Sequence, residues 1–341
     1  MPWEKAAILC GIFLFAAFVP HSQAGFHEGD TLDCLACHGI GAPDPSSVCL
    51  ECHARKFRVL SPTGDAYTPG GDFFWLTQNY LWAPFASSGD SHGHNIVAAS
   101  FGLAEDGARH TAPGDGTVRY EAAWLSCTSC HDPHMSRSKP GATYRLLGTR
   151  GYGGGGKAAS ISFQYPAPVA EPLTTTGDDW IAESDDHHPA YISGMSEWCT
   201  NCHSGYITKK GLSHPTGRLA TLKEKAKTYN DHKPKQTGFS VQDGSYDFLV
   251  PVETGKTLDR RGNKDSPDQA TTSATVMCLS CHRAHASAFR SIGRWGLQVD
   301  LLVNSPVLST PQRIHAYYGQ PIAGRYGEKA GPLCFKCHSS N

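Results

Sequence analysis

Residues 127–131 read Cys-Thr-Ser-Cys-His, and the same Cys-x-x-Cys-His pattern occurs six times in the chain. Two cysteines three residues apart lie on one turn of backbone, where both thiols can form thioethers to one porphyrin. The following histidine then lies beneath the iron as its proximal ligand. The pattern predicts six covalently attached haem c groups, held by Cys34, Cys37, Cys49, Cys52, Cys127, Cys130, Cys199, Cys202, Cys278, Cys281, Cys334 and Cys337. The proximal iron ligands are then His38, His53, His131, His203, His282 and His338.

Other uses of paired cysteines are less consistent with this sequence. A single Cys-x-x-Cys pair also occurs in zinc sites, redox disulfides and disulfide frameworks. Here the motifs use 12 of the 13 cysteines, and a histidine follows every pair although only 18 of 341 residues are histidine. The sequence therefore favours haem attachment at all six sites.

The amino terminus has the pattern of a secretory signal peptide. Lys5 precedes an apolar run over 6–19, and Ser22-Gln23-Ala24 forms a small-x-small cleavage site. The apolar run is too short to span a membrane, and no later segment is long and apolar enough to do so. We expect a signal peptide at 1–24 and one hexahaem domain at 25–341, exported to the periplasm and then to the cell surface.

Composition predicts a fold organised by its cofactors. Roughly 50 residues are available for each haem, too few to build a core from side chains alone. The chain also contains 36 glycines and 22 prolines, a high share that suits loops. We expect a mostly coil structure with short α-helices and very little β-structure, in which the haem stack forms most of the core.

The charge balance excludes one class of partner. The polypeptide has a formal net charge of −1, and the propionates of six haems would make the assembled protein acidic. A nucleic-acid-binding protein needs a basic surface instead.

Short helices are expected to carry the motifs. Beyond the motif itself we find no internal sequence repeat. The predicted helices cover 46–57, 121–131, 196–203, 274–289 and 331–338, and an amphipathic helix is predicted at 217–229 from its apolar face. Alternating or apolar runs predict short strands at 161–165, 246–252 and 297–303.

The second axial position of the iron distinguishes an electron carrier from an enzyme. An electron carrier fills that position with a protein ligand, whereas an enzyme that binds substrate at iron leaves it open. Beyond the predicted signal peptide, eleven histidines lie outside the motifs, against three methionines. This supply predicts bis-histidine ligation of every iron.

Position indicates which histidines serve as distal ligands. His134 and His285 each follow a proximal histidine by three residues, too close to reach the other face of the same haem, so each is expected to ligate a neighbouring haem. His92 and His94 can point to two different haems. His214, before a proline, and His27, near the mature amino terminus, complete the predicted set.

The remaining histidines have weaker signals. His187 and His188 follow two aspartates, which could form a divalent metal site, but an exposed polar turn before Pro189 is favoured. His110, His232 and His315 are interpreted as surface residues that could still ligate a haem.

Several longer strings resemble the extracellular multihaem cytochrome c filament family, the cytochrome nanowires. They lie at 69–73, 92–98, 127–134, 194–199, 278–287 and 316–319, and the likeness runs in order from about residue 25 to the end. The resemblance implies a largely coiled subunit with bis-histidine haems in a continuous stack, which polymerises into filaments.

This resemblance also implies that one haem receives its distal histidine from the adjoining subunit, just after the first motif. Residues 39–48 contain no histidine here, and Gly41 occupies the expected position. His27, His110 or His315 could replace that ligand, or one iron could stay open.

The resulting hypothesis is extracellular electron transfer by a filament subunit, with other cytochromes as donors and metal oxides or partner cells as acceptors. A monomeric periplasmic or surface shuttle with the same haems is the main alternative. A multihaem reductase of nitrite, hydroxylamine or sulfite is less consistent, because every motif ends in histidine and distal histidines are abundant.

Overall fold

Most of the chain is arranged in turns and loops around short helices. The computed structural model describes residues 34–54, 59–82, 85–135, 143–155, 161–171, 183–184, 188–207, 214–232, 246–255, 270–304 and 310–338. The predicted signal peptide lies outside these residues. Within them, regular structure is sparse and the strands are three or four residues long, which confirms the expected fold class. No helix in the described ranges is long and apolar enough to cross a membrane.

Each motif lies on or next to a single helical turn. The α-helices are α1 Cys34–His38, α2 Pro45–His53, α3 Met195–Cys199, α4 Lys225–Asp231, α5 Cys278–Cys281, α6 Thr310–Ala316 and α7 Ile322–Tyr326. The third and sixth motifs lie instead on 3-10 turns, Cys127–Ser129 and Leu333–Lys336. Further 3-10 turns are Phe73–Thr77, Gly89–His92, Ala99–Phe101, Ala122–Trp124, Tyr144–Leu146, Gly217–Leu219, Arg290–Ile292 and Leu302–Asn304.

Local capping explains why α2 is the longest of the described helices, at nine residues. Asp44 accepts hydrogen bonds from the backbone N–H of Ser47 at 2.7 Å and from its hydroxyl at 2.8 Å. Pro45 occupies the first helical turn, where its missing N–H costs nothing. A capped start of this kind stabilises a helix by about 1 kcal/mol.

Most of the predicted helices are shorter than expected. The segment predicted at 121–131 consists of two separate 3-10 turns, and in the segment predicted at 274–289 only Cys278–Cys281 is α-helical. The helix predicted at 217–229 is wrong over its first half. There the backbone N–H groups of Leu222 and Lys223 bond to carbonyls of Ala274 and Thr272, at 2.8 and 3.0 Å. These tertiary bonds replace the helical ones, and only α4 forms.

The three predicted strands are also wrong. The strands in the described ranges form two antiparallel pairs, β1 Tyr80–Trp82 with β2 Phe85–Ser87 and β3 Val169–Glu171 with β4 Ala190–Ser193. Segment 161–165 is not a strand: Phe163 bonds to the backbone of residues 151 and 152, and the N–H groups of Gln164 and Tyr165 donate to the Asn201 side chain. Segment 246–252 is a buried turn closed by the Val250 N–H donating to Asp247 O at 2.9 Å. Segment 297–303 leads into a 3-10 turn.

Aromatic side chains fill the spaces between the motifs. Trp75, Trp295, Tyr229, Tyr317 and Phe248 are almost completely buried. They belong to one extended apolar cluster that also contains Cys127, Cys281 and Cys337 at its edge. The side-chain core is therefore continuous with the motif cysteines, which are the predicted sites of haem attachment.

Candidate haem-binding sites

Cysteines of successive motifs lie next to one another. The Cys49 thiol hydrogen-bonds to that of Cys127, and this contact and burial raise its pKa above the usual range. The thiols of Cys199 and Cys278 form a second such contact. Cys130 and Cys202 also lie near each other, so that ionisation of Cys202 would raise the pKa of Cys130, which burial already raises. In the same way, Cys281 interacts with Cys334 and Cys337.

These contacts place the second to sixth motifs in one series, in the order of the sequence. None of the motif cysteines whose side chains are described forms a disulfide. Thioethers to haems at these cysteines would bring the edges of successive porphyrins together.

The second and third motifs pack together in the same way as the fourth and fifth. The hydroxyl of Ser46 accepts a hydrogen bond from the Cys127 N–H at 3.2 Å, and that of Ser196 accepts one from the Cys278 N–H at 3.1 Å. Each serine lies three residues before the first cysteine of its own motif. The two contacts are therefore equivalent.

The segments after the third and fifth motifs repeat as well. The Nδ1 of His131 donates to Arg145 O at 2.8 Å, and that of His282 donates to Ser291 O at 2.7 Å. Arg145 and Ser291 both have positive φ, at 52° and 55°, which is uncommon for residues other than glycine.

The chain thus contains one two-motif unit twice, around the second and third motifs and around the fourth and fifth. No internal sequence repeat was found beyond the motif, and the repeat seen here is a structural one that lies in equivalent hydrogen bonds.

Four proximal histidines each face a second imidazole. His94 and His203 approach with their Nε2 atoms 3.5 Å apart. Their Nδ1 atoms donate to the carbonyls of Ala284, at 2.6 Å, and Pro113, at 3.0 Å. A backbone bond at Nδ1 leaves the lone pair on Nε2 and fixes the ring, as is usual for a metal-ligating histidine.

The other three pairs have similar spacing. Ring centres are separated by 6.3 Å for His131 and His285, 6.4 Å for His38 and His134, and 6.0 Å for His214 and His338. A metal–imidazole bond is about 2.0–2.1 Å long, so two rings on opposite sides of one iron have centres roughly 6 Å apart. The pairs therefore fit bis-histidine ligation.

Burial favours the neutral form of five of the candidate imidazoles, which is the form that can bind iron. It lowers the pKa of His203 to about 4 and that of His285 to about 3. It also lowers the pKa values of His94, His131 and His282. At neutral pH no proton competes with iron for these nitrogens.

Two of the predicted distal ligands are not placed opposite a motif histidine. His92 is completely buried, with its Nε2 2.8 Å from the Ser87 hydroxyl and its ring stacked on Tyr80 at 5.3 Å. His27 lies outside the described residues. Both remain predictions.

His188 is a candidate that the sequence interpretation missed. It is only 3% exposed and stacks on Tyr246 at 4.5 Å, so the expectation of an exposed turn is wrong. Its Nδ1 donates to Pro189 O at 3.0 Å, and that of His315 donates to Thr63 O at 3.0 Å. This is the anchoring seen in the paired imidazoles, and no local sequence signal reveals it. His187 lies outside the described residues, whereas His110 is exposed and His232 is half-buried.

A buried cluster of charged side chains lies beside the sixth motif. Lys336, between Cys334 and Cys337, is completely buried; its ammonium donates to His232 O at 2.7 Å and lies 3.8 Å from Asp247. Arg325 lies 3.3 Å from the other oxygen of Asp247. Burial alone would raise the pKa of Asp247, but the charges of Arg325 and Lys336 outweigh burial and hold that pKa below its usual value.

Comparison with known proteins identifies one related cytochrome by sequence and the same cytochrome by structure. The chain is 34% identical to the C-type cytochrome OmcS of Geobacter sulfurreducens over 419 aligned positions, covering 93% of this chain and 94% of that protein. No protein-family model matches.

Two solved structures share the fold. The cryo-EM structure of OmcS nanowires from Geobacter sulfurreducens matches with a TM-score of 0.75 and 28% identity, covering 93% of this chain and all of the other. The outer membrane cytochrome S filament from the same organism matches with a TM-score of 0.65 and 30% identity, covering 88% of this chain and 90% of the other.

Proposed function

Because this chain belongs to the family of the C-type cytochrome OmcS, we propose that it carries electrons through six covalent c-type haems as a subunit of an extracellular filament. Other cytochromes supply the electrons, and metal oxides or partner cells accept them. The protein performs no bond chemistry. It positions the haems and tunes their potentials through axial ligands, burial and hydrogen bonds.

The series of adjacent motif cysteines is the observation that best supports electron transfer. Contacts join the second motif to the third, the third to the fourth, the fourth to the fifth and the fifth to the sixth. The His38–His134 pair connects the first motif to the segment after the third. Every motif is thus linked to another, as an uninterrupted electron path requires.

The pairing of motifs also supports head-to-tail assembly. Within the chain, an even-numbered motif packs against the next odd-numbered one. The first and sixth motifs are left at the ends of the series. Leu35, in the first, is 74% exposed, and Cys334, in the sixth, is also exposed. A contact between the sixth motif of one copy and the first of the next would extend the series into an open filament.

Export and domain boundaries form part of the same proposal. Residues 1–24 direct secretion, and residues 25–341 form a single hexahaem domain that reaches the outer cell surface. A monomeric shuttle would have the same haems without assembly. A reductase would need an open iron.

A combined measurement on the native secreted protein tests this function. A pyridine haemochrome assay with mass spectrometry should find six haems for each chain, and electron microscopy should show filaments. Globular monomers with six haems would instead indicate a monomeric electron shuttle. A high-spin ferric signal with carbon monoxide binding to the reduced protein would favour the reductase. Unmodified thiols would contradict the proposal entirely.

Replacing His94 with Met should raise the potential of one haem and leave the other five unchanged. Methionine opposite histidine raises the potential relative to two imidazoles, and the His94 ring faces that of His203, the predicted proximal ligand. Spectroelectrochemical titration measures the change. The exposed His110→Met variant is the control. Identical titrations for H94M and the unmodified protein would show that His94 does not bind iron.

A further inference from the structure

A carboxyl group is buried where the fourth and fifth motifs meet. Glu253 is 4% exposed; one of its oxygens accepts the Met195 N–H at 2.7 Å and the other accepts the Thr275 hydroxyl at 3.0 Å. Met195 lies four residues before Cys199 in α3, and four residues of α-helix rise about 6 Å. The carboxyl group therefore lies roughly one helical turn from Cys199, whose thiol contacts that of Cys278.

Glu253 has less compensation than the other buried acidic side chains. Among the described residues these are Asp72, Glu183 and Asp247. Glu183 and Asp247 form ion pairs with buried cations, and Asp72 accepts four hydrogen bonds. Glu253 accepts two hydrogen bonds, and no cation among the described residues pairs with it. An ionised carboxylate is costly to bury in such surroundings, so this site favours a proton.

The neighbouring charged and titratable groups act in the same direction. On α3, Glu197 is half-buried and its negative charge acts on Glu253. On the turn Gly217–Leu219, the Arg218 side chain is exposed and its backbone N–H donates to Glu197 at 3.2 Å. On β4, Tyr191 is buried, and burial raises its pKa well above the usual range. Burial raises the pKa of Glu253 above its ordinary value despite the two hydrogen bonds, and Glu197 raises it further.

The Thr275 hydroxyl can pair with Glu253 in both protonation states. It donates to the carboxylate when Glu253 is ionised. When Glu253 is protonated, the carboxyl O–H can donate to the hydroxyl oxygen, because a hydroxyl is both donor and acceptor. The hydrogen bond can therefore reverse without movement of the backbone. Cys278 follows on the same segment, and a thioether at that cysteine would not titrate.

We propose that Glu253 takes up a proton from solvent when the haem at the fourth or fifth motif is reduced. This inference rests on the haem attachment proposed above. The electron goes to the iron, which passes from the ferric to the ferrous state. The proton goes to a carboxylate oxygen of Glu253, which becomes the neutral acid. Reoxidation reverses both steps and returns the proton to solvent, so the subunit carries protons together with electrons.

The size of the coupling follows from Coulomb's law. An electron added roughly 10 Å away, at an effective dielectric constant of about 20, raises the proton affinity of the carboxylate by about 10-fold. The potential of that haem should therefore fall as the pH rises from the pKa of Glu253 in the oxidised protein to its higher pKa in the reduced protein. The whole fall is about 59 mV, the same 10-fold factor for a one-electron couple.

The experiment titrates all six haems of the full-length secreted protein by spectroelectrochemistry over a range of pH. It compares the unmodified protein with Glu253→Gln, Thr275→Val, Glu197→Gln and the exposed control Glu105→Gln. Glutamine can form both hydrogen bonds of Glu253 without its charge. A haemochrome assay counts the haems of each variant, which separates failure of this inference from failure of the proposed function. Infrared difference spectra record the C=O band of a protonated carboxylic acid upon reduction.

E253Q should hold one haem at the potential that the unmodified protein reaches only in acid, and should lack the infrared band. T275V should move the pH-dependent fall to higher pH, because it removes a bond that favours the ionised carboxylate. E197Q should move it to lower pH, because it removes a like charge. E105Q should titrate as the unmodified protein does.

The same pH dependence and the same infrared band in E253Q and the unmodified protein, with six haems attached to each, would overturn the proposal. Six potentials that do not change with pH in the unmodified protein would overturn it as well. T275V and E197Q provide the test if E253Q does not fold. Potentials with an unchanged pH dependence in both of these variants would then assign the proton to another group.

Discussion

Replacing Asp247 with Ala is expected to destabilise the protein by about 3–5 kcal/mol, because it leaves two buried cations without their counter-charge. Asp247 is fully buried between Arg325 and Lys336, and the Tyr326 hydroxyl also donates to it. Lys336 lies between the two cysteines of the sixth motif, so the loss should be greatest at that haem. Chemical denaturation followed by the absorbance of the haems measures the change.

The matched control is Asp231→Ala. Asp231 pairs with Lys227 on the exposed surface of α4, where such a pair contributes at most about 1 kcal/mol. Adding Lys336→Met to the Asp247→Ala variant should recover part of the loss, since it removes one stranded cation. Equal stability of D247A and D231A would contradict the assigned role.

Acid should remove the difference between D247A and the unmodified protein. The pKa of Asp247 is lower in the folded state than its unfolded value, about 3.9. Its contribution is therefore complete above that unfolded pKa and is lost as the pH falls through the folded one. The two stability curves should converge only in strong acid.

Replacing Gly41 with His should make filaments more resistant to dissociation. His134 lies three residues after the third motif and faces His38 of the first, and His285 lies three residues after the fifth and faces His131 of the third. A histidine at this offset thus serves the motif two positions earlier. By the same relation, residue 41 of the next copy in a filament would serve the fifth motif of this one.

Gly41 provides no such ligand, but its site can accept one. It is exposed, no atom lies within 4 Å of an added Cβ, and its φ is outside the left-handed region. An imidazole there would form an iron–nitrogen bond between copies. We expect G41H filaments to persist at protein concentrations at least about 10-fold lower, equivalent to about 1.4 kcal/mol per contact.

Electron microscopy and sedimentation across a dilution series measure the dissociation of G41H filaments. Gly41→Gln is the matched control, since it adds a polar side chain of similar size that does not ligate haem iron. Dissociation of the histidine and glutamine filaments at the same concentration would show that residue 41 does not reach an iron. In that case another residue would complete the fifth site.

The sequence predicted which histidines of different segments come together better than it predicted the path of the backbone. Thioether and proximal ligands follow from one local pattern, so all six motifs could be identified from the sequence alone. His134 and His285 could also be assigned to neighbouring haems, because an offset of three residues excludes their own. His94 and His214 likewise face His203 and His338, which are predicted iron ligands.

The remaining features depend on contacts between distant parts of the chain. Burial of His188 depends on Tyr246, which is far away in sequence. Leu219, assigned to the apolar face of a helix, is 68% exposed because the backbone after it bonds to residues 272–276 instead of forming that helix. Hydrophobic periodicity reports only on residues that are close in sequence. This fold depends largely on hydrogen bonds between loops that are distant in sequence.

The two-motif repeat has a consequence for the direction of current. Two units with equivalent backbone contacts would hold their haems at similar spacings, so a preferred direction of electron transfer would have to come from side chains that differ between the units. Asp132 and Gly148 of the first unit make the backbone hydrogen bonds that Arg283 and Arg294 make in the second. The charge near the haems should therefore differ between the two units, and so should their reduction potentials.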